Sequence, residues 1–239
     1  MYSELKIVIP IYNEGENIKK TLLEIGSKVR TPHNIFIVYD FEEDNTLSFA
    51  KAFMEHGNNI HLLRNKYGEG VLNAIKTGFE SIDDGVILVA MADRCDEFDR
   101  VDDMFQKINE GYDIVCGSRY MKGGRQIGGP KFKKFLSRLA GTSLHHLTGI
   151  PTCDATNNFK MYTKKVLSDI AIESNGGFEL GLEIVVKAFL KGYKITEIPS
   201  VWRTRDFGRS KFKFLKWLPK YLRWYFVAIK GRLMANKAQ

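Results

Sequence analysis

The stretch LKIVIPIYNEGENI, residues 5–18, decides the architecture. Its first seven residues are nearly all apolar and rich in Ile, the composition of a strand buried on both faces. Pro10 and Asn13 break the run, and helical periodicity starts at Glu16 and continues to Val29. A buried strand that passes through a short polar turn into a helix is the opening unit of an α/β fold. The alternation then repeats. IFIVY (35–39), IHLL (60–63), VILVA (86–90) and DIVC (113–116) read as strands, and residues 46–56, 69–81 and 100–109 as helices. The pattern predicts a Rossmann-like fold whose mostly parallel central sheet is flanked by helices. Ligands of such sheets bind beyond the carboxyl ends of the strands.

The second half reads differently. A Gly-rich loop (Gly123, Gly124, Gly128, Gly129, Pro130) leads into a basic amphipathic helix over 131–147. A strand over 158–162, a helix over 178–190 and a last strand, ITEIPSVW (195–202), follow. Residues 213–229 read as a helix or helix pair interrupted at Pro219. The expected organisation is one α/β domain, 1–210, with a basic amphipathic helical tail, 211–239.

At 239 residues and 44% apolar content the chain has ample material for one core. Three scattered cysteines, Cys95, Cys116 and Cys153, argue against a disulfide framework or structural zinc site and suit a reducing cytosol. The acidic Glu4 and the early break at Pro10 do not fit a secretory leader, and no run reaches about 20 apolar residues. The expectation is a protein in solution or on a membrane surface. Its net charge of +8 is unevenly placed. Residues 114–153 hold seven Lys/Arg and 207–239 hold nine, with no Asp or Glu in either, so the rest is net acidic. That separation fits a basic surface facing phosphates, acidic lipid or nucleic acid, or simply a solvated face.

Carboxylates gather at the strand tips. Glu14 follows the first strand, Asp40 the second, and Asp93 and Asp96 the fourth. Facing one crevice, they suit the polar edges of a nucleoside and a divalent cation on a diphosphate. Singly, each is as well explained as a helix cap.

VIPIYNEGENI, the stretch Asp40…Asp44-Asn45-Thr46, MAD (91–93), GSRY (117–120), DATNNFKMY (154–162) and RDFGRSK (205–211) occur in order. Together they resemble the family 2 glycosyltransferases of the dolichyl-phosphate mannosyltransferase type, over residues 5–212. The resemblance implies a GT-A fold and sugar transfer from a nucleotide-diphosphate donor to a lipid-linked acceptor such as polyprenyl phosphate. It assigns the nucleotide sugar to Pro10, Tyr12, Glu14, Asp40, Ala92, Asp93, Arg119, Arg205 and Lys211. Asp93, Arg119 and Arg205 become the catalytic set, and Lys133 with Ser137 the acceptor-phosphate grip. Asp93 with Asp96 becomes the site for Mg²⁺ or Mn²⁺. The chain departs from the family at Met91, where the first Asp of the DxD motif belongs, and at Tyr39, Lys133 and Asn158. Asp96 or Glu97 can restore the lost carboxylate.

A phosphate acceptor is already ionised and needs no general base, so cations that hold two anions together carry the catalysis. A hydroxyl acceptor needs a base, for which Glu179, one helical turn before Glu183, is the candidate. A binding protein without turnover is the third reading, which Met91 favours. Nucleic-acid binding ranks last, because no reader motif is present. In the tail, Phe214, Leu215, Leu218, Tyr221, Leu222, Tyr225 and Ile229 form an apolar stripe, with Trp217 and Trp224 near its edges and basic residues around it. The stripe fits either an anionic membrane surface or packing on the domain. The expected place of action is peripheral, at the cytoplasmic face of a membrane.

Overall fold

The structure is a computed structural model that describes residues 1–55, 59–204 and 214–237, with side chains in the last helix described for 217–234. Seven strands form the main sheet: β1 (Leu5–Pro10), β2 (His33–Tyr39), β3 (Ile60–Arg64), β4 (Val86–Val89), β5 (Ile114–Ser118), β7 (Lys160–Thr163) and β8 (Ile195–Pro199). Their order is β3-β2-β1-β4-β7-β5-β8. All neighbours are parallel except β7, which runs antiparallel to β4 and β5. Every residue of β4, β5 and β7 is buried, which suits the continuous apolar run of β4.

Helices cover both faces. Helices α1 (Asn17–Lys28), α2 (Leu47–Met54) and α4 (Val101–Asn109) pack on one side, where Ile18, Leu22, Ile25, Met104 and Phe105 join the sheet. On the other lie α3 (Val71–Glu80), α5 (Lys131–Thr148), α6 (Lys164–Asp169), α7 (Leu180–Leu190) and α8 (Phe214–Lys237), through residues such as Ile75, Leu144, Val185 and Trp224. Helix α5 starts after the extended Pro130 and ends at Gly149, whose left-handed backbone (φ 79°) lets its N–H reach the His145 carbonyl.

Three expectations change. The Gly-rich loop contains a short strand, β6 (Arg125–Ile127), and the stretch 195–202 is two strands, because β9 (Val201–Arg203) leaves the main sheet to pair with β6. Ser200 is the corner, with its N–H on the Ser118 carbonyl and its carbonyl accepting the Arg125 N–H. The tail is one helix running through Pro219. The proline lies in its second turn, and Trp217, Trp224 and Ala228 are buried against the body. The tryptophans expected at the margins of the tail's apolar stripe are therefore the centre of its packed face. Tyr221 adds a bond from its hydroxyl to the Phe178 carbonyl (2.6 Å), and the Phe178 and Trp217 rings lie 5.0 Å apart. No helix among the described residues is long and apolar enough to cross a membrane.

Candidate active site

The turn after β1 is built by its neighbour after β2. Asp44, 3% exposed, accepts the Asn13 N–H through Oδ2 (3.0 Å), Thr46 Oγ1 accepts the Glu14 N–H (2.9 Å), and Asn45 Oδ1 accepts the Gly15 N–H (2.9 Å). These contacts hold Asn13 in left-handed backbone, φ 52°. The Asp44-Asn45-Thr46 triplet thus shapes the loop that presents Tyr12 and Glu14. Pro10 is buried as the last β1 residue, while Tyr12 is exposed and packs edge-on against Phe41 at 5.7 Å. Asp40, at the β2 tip, accepts from Asn65 Nδ2 (2.7 Å) and from the Gly70 N–H at the start of α3 (2.9 Å). Its carboxylate is fixed, and it walls the same end of the sheet.

The loop after β4 holds the second left-handed non-glycine residue, Arg94 (φ 57°). Among the described residues only Asn13 and Arg94 are of this kind, and both sit at strand tips, where backbone strain commonly serves a site. Ala92 is buried and its carbonyl accepts the Thr21 hydroxyl (3.2 Å), while Asp93 Oδ1 accepts the Cys95 N–H (3.1 Å). Asp96 is 8% exposed, and its Oδ1 is buried without a hydrogen-bond partner. Burial, and after it the neighbouring Asp93 carboxylate, push the Asp96 carboxyl up to about 7. An orphaned buried carboxylate oxygen beside a second carboxylate fits a hard divalent cation. Mg²⁺ needs only one or two protein carboxylates when phosphates and water complete its shell. No cluster of three or more His, Cys, Asp or Glu suited to a metal occurs among the described residues.

Arg119 follows β5. Its Nε and Nη2 donate to the two oxygens of Asp154 (2.7 and 2.8 Å), its backbone N–H donates to Asp154 as well (3.0 Å), and Nη2 also approaches Ser137 Oγ and Thr156 Oγ1 (both 3.4 Å). Burial opposes both charges, yet their attraction prevails: Arg119 is held above its ordinary range and Asp154 below the usual carboxylate range. Arg119, expected as a phosphate ligand, is anchored in a bidentate ion pair with Asp154. Ser137 lies on the inner side of α5, beside Arg119, and Lys133 stands exposed one turn earlier. Gly141 makes this possible, since a Cβ there would lie 2.2 Å from the Cys153 carbonyl oxygen. Arg205 and Lys211 lie outside the described residues.

Asp154, Thr156 and Lys160 were not singled out from the sequence. Lys160 is fully buried, donates to the Ala155 carbonyl (3.1 Å) and is drawn below its usual pKa by that burial. The signal for Asp154 was present, because it is the first carboxylate after the acid-free run 114–153 that contains Arg119. Asn158, a departure from the family, has a local role: its Oδ1 accepts the Gly181 N–H at the start of α7 (3.1 Å). Glu179 is 1% exposed. Its Oε1 accepts the Gly176 N–H (3.0 Å), and Oε2 is buried without a partner. Glu183 instead receives the Glu173 and Ser174 N–H groups and Lys187 Nζ, a structural arrangement.

A carboxylate pair, a fixed cation and the Ser137 and Thr156 hydroxyls thus border one end of the sheet. The profile of glycosyl transferase family 2 matches residues 6–171. The chain belongs to this family. Dolichol-phosphate mannosyltransferase of Pyrococcus furiosus is 25% identical over 232 residues, covering 92% of this chain and 64% of its own length. Polyprenol monophosphomannose synthase of Mycolicibacterium smegmatis is 26% identical over 211 residues, 86% of this chain and 79% of the relative. This chain therefore spans just under two thirds of the first relative. Among solved structures, glucosyl-3-phosphoglycerate synthase of Mycobacterium tuberculosis, in complex with Mn²⁺, UDP and glucosyl-3-phosphoglycerate, superposes with a TM-score of 0.68. It covers 96% of this chain and 80% of that one at 13% identity, a likeness of fold that agrees with the expected GT-A architecture. The family 2 profile ends at residue 171, so α7 and α8 lie beyond it.

Proposed function

We propose that this family 2 protein transfers a sugar from a nucleotide-diphosphate donor to a polyprenyl phosphate at the cytoplasmic face of a membrane, as an enzyme of 1–210 with a membrane-associated tail of 211–239. The observation that carries the reading is the fixed Arg119–Asp154 pair with Ser137 and Thr156 around its guanidinium, a polar corner on the same edge as Asp93 and Asp96. The names of the two mannosyltransferase relatives support the choice of acceptor.

In this mechanism Tyr12, Glu14 and Asp40 hold the nucleoside, and Pro10 and Ala92 shape the floor beneath it. Asp93 and Asp96 hold the divalent ion, Mg²⁺ or Mn²⁺, which when bound neutralises the donor diphosphate. Ser137 and Lys133 grip the acceptor phosphate, and Arg119 meets it through the Nη1 that Asp154 does not engage. An acceptor oxygen attacks the anomeric carbon as the bond to the diphosphate breaks, and Arg205 and Lys211 stabilise the leaving charge. No proton must be removed. A charge-assisted contact to an anion is worth about 1.5–3 kcal/mol, so Arg119→Ala or Arg205→Ala should slow transfer roughly ten- to a hundredfold. Lys133→Arg should keep or raise the rate, because a guanidinium can grip phosphate through two bonds.

A second reading has its own observation, the partnerless buried Oε2 of Glu179. There Glu179 is a base and the acceptor is a hydroxyl of a glycan or glycolipid. Single-turnover transfer with a defined donor and a polyprenyl-phosphate acceptor separates the two. The first reading expects Glu179→Gln to stay active and Arg119→Ala to be impaired; the reverse outcome selects the hydroxyl acceptor. Donor binding with no transfer to any acceptor would instead mark a nucleotide-sugar-binding protein, as the Met91 substitution permits.

A further inference from the structure

Glu179 stands between the nucleoside end of the site and its phosphate corner. It precedes α7, whose first turn is tied to that corner: the Gly181 N–H donates to Asn158 Oδ1 (3.1 Å), in the loop that carries Asp154 and Thr156. On the other side Gly177, in left-handed backbone (φ 106°), lies against the first turn of α3. A Cβ there would come 2.8 Å from Val71 Cγ1 and 3.2 Å from the Leu72 nitrogen. That turn begins beside Gly70, whose N–H is held by Asp40 (2.9 Å). Tyr221 of α8 covers the corner, with its hydroxyl on the Phe178 carbonyl (2.6 Å). Burial, and after it the Glu179 carboxyl group, hold Tyr221 above its ordinary pKa, and Arg119 and Asp154 act on it as well. Glu179 and the Arg119–Asp154 pair are thus neighbours across one side chain.

We propose that Glu179 recognises the transferred sugar, with Oε2 accepting one of its hydroxyl groups. The sugar's position rests on the phosphate-acceptor reading, in which it passes from a diphosphate beside Asp93 and Asp96 to a phosphate at Arg119 and Ser137. Such a sugar lies between the Asp40 end and the Arg119 corner, and Glu179 borders that interval from the α7 side. Its Oε1 is taken by the Gly176 N–H (3.0 Å), which fixes the side chain. Its Oε2 is buried with no partner among the described residues. A buried acceptor without a donor is costly, and a sugar hydroxyl supplies the donor.

The surroundings suit a hydroxyl better than a proton relay. A base has to pass its proton on to water, and Oε2 is closed off from solvent beside Gly176, Trp217 and Lys220. A Cβ on Gly176 would lie 2.0 Å from Trp217 Cζ3 and 2.8 Å from both Glu179 Oε2 and Lys220 Nζ. The glycine is therefore what lets these groups close together. Lys220 is half-buried, with Nζ 4.7 Å from the centre of the Trp217 ring and no bond to Oε2. Its flexible stem lets the ammonium swing aside as a hydroxyl enters. A site that bonds a substrate hydroxyl rejects the analogue lacking it, because the buried acceptor is then left unpaired.

The test titrates the intact protein, in the presence of Mn²⁺, with a panel of UDP- and GDP-linked hexoses and with UDP and GDP alone. Glu179→Ala should weaken binding of the preferred nucleotide sugar about tenfold or more and leave the matching nucleoside diphosphate unchanged. Glu179→Gln should recover most of that affinity, because its amide oxygen accepts the same hydroxyl. The monodeoxy analogue that lacks this hydroxyl should bind the unaltered chain weakly and be indifferent to Glu179→Ala. Equal losses for the nucleotide sugar and the nucleoside diphosphate, with a lowered thermal midpoint, overturn the proposal in favour of a structural role. Unchanged affinity for both also overturns it, and lost transfer in the same variant then selects the base. If the affinities follow the expected pattern but no sugar reaches polyprenyl phosphate, the acceptor reading fails and the sugar contact stands.

Discussion

Asp93 and Asp154 do different work although both are strand-edge carboxylates. Asp93 is the proposed metal ligand, and Asp93→Asn should abolish metal-dependent donor binding while leaving the fold intact. Calorimetric titration of a nucleotide sugar with and without Mn²⁺ checks this, and unchanged titration in the variant would remove Asp93 from the metal site. Asp154 is internal and holds Arg119. Its carboxyl is lowered in the folded state, so its stabilising contribution is present above about pH 4 and is lost as pH falls through the lowered value. Asp154→Asn should erase that acid-side loss and leave Arg119 buried without its counter-ion, a cost of about 3–5 kcal/mol. Urea unfolding between about pH 7 and about pH 3 reads both effects. A variant as stable as the parent at neutral pH would show that the pair does not hold the site together.

At the scale of elements, α5 is positioned by close approach. Gly141→Ala places a methyl 2.2 Å from the Cys153 carbonyl oxygen, and helix or loop must shift. The expected loss is about 1–3 kcal/mol of stability, with a fall in transfer because Ser137 sits one turn away on the same helix. Gly26→Ala in α1, where a Cβ meets nothing within 4 Å, is the comparison and should stabilise by about 0.5–1 kcal/mol. If the two alanines behave alike in thermal unfolding, close approach is not what seats α5. Helix α8 is held by a different contact. Trp224 is 3% exposed, with Lys187 and Arg223 against its ring. Trp224→Ala should cost about 3–5 kcal/mol in denaturant unfolding, whereas a helix merely resting on the surface would lose almost nothing.

For the whole molecule, the tail is part of the body as well as a candidate membrane element. Removing residues 214–239 should take Trp224 and Ala228 out of the core on that face of the sheet and lower the thermal midpoint sharply. An unchanged midpoint would mean that α8 adds nothing to the fold. Surface substitutions are therefore the cleaner probe of membrane contact. The first four strands and the helices between them were legible because each buried strand is a continuous apolar run and each helix repeats on a 3.6-residue period. The strand tips were legible for the same reason, since a parallel sheet gathers them at one edge. The Ser200 corner was not, because ITEIPSVW keeps one apolar character across a change of sheet. The packed side of α8 was not either, because apolar residues surround it and periodicity alone does not say which side meets the body.

The sequence by itself determined an α/β sheet, the edge where carboxylates collect, the two acid-free basic segments and the resemblance to family 2 glycosyltransferases. Tertiary structure alone decided that Asp154 neutralises Arg119. That pairing exists because β7 inserts antiparallel between β4 and β5, so the residues before it emerge at the edge where the parallel strands end. Residues 35 positions apart then share one buried salt bridge. Local periodicity fixes what each segment is, but the pairing of a buried cation with its carboxylate follows from strand order, which no single window of sequence contains.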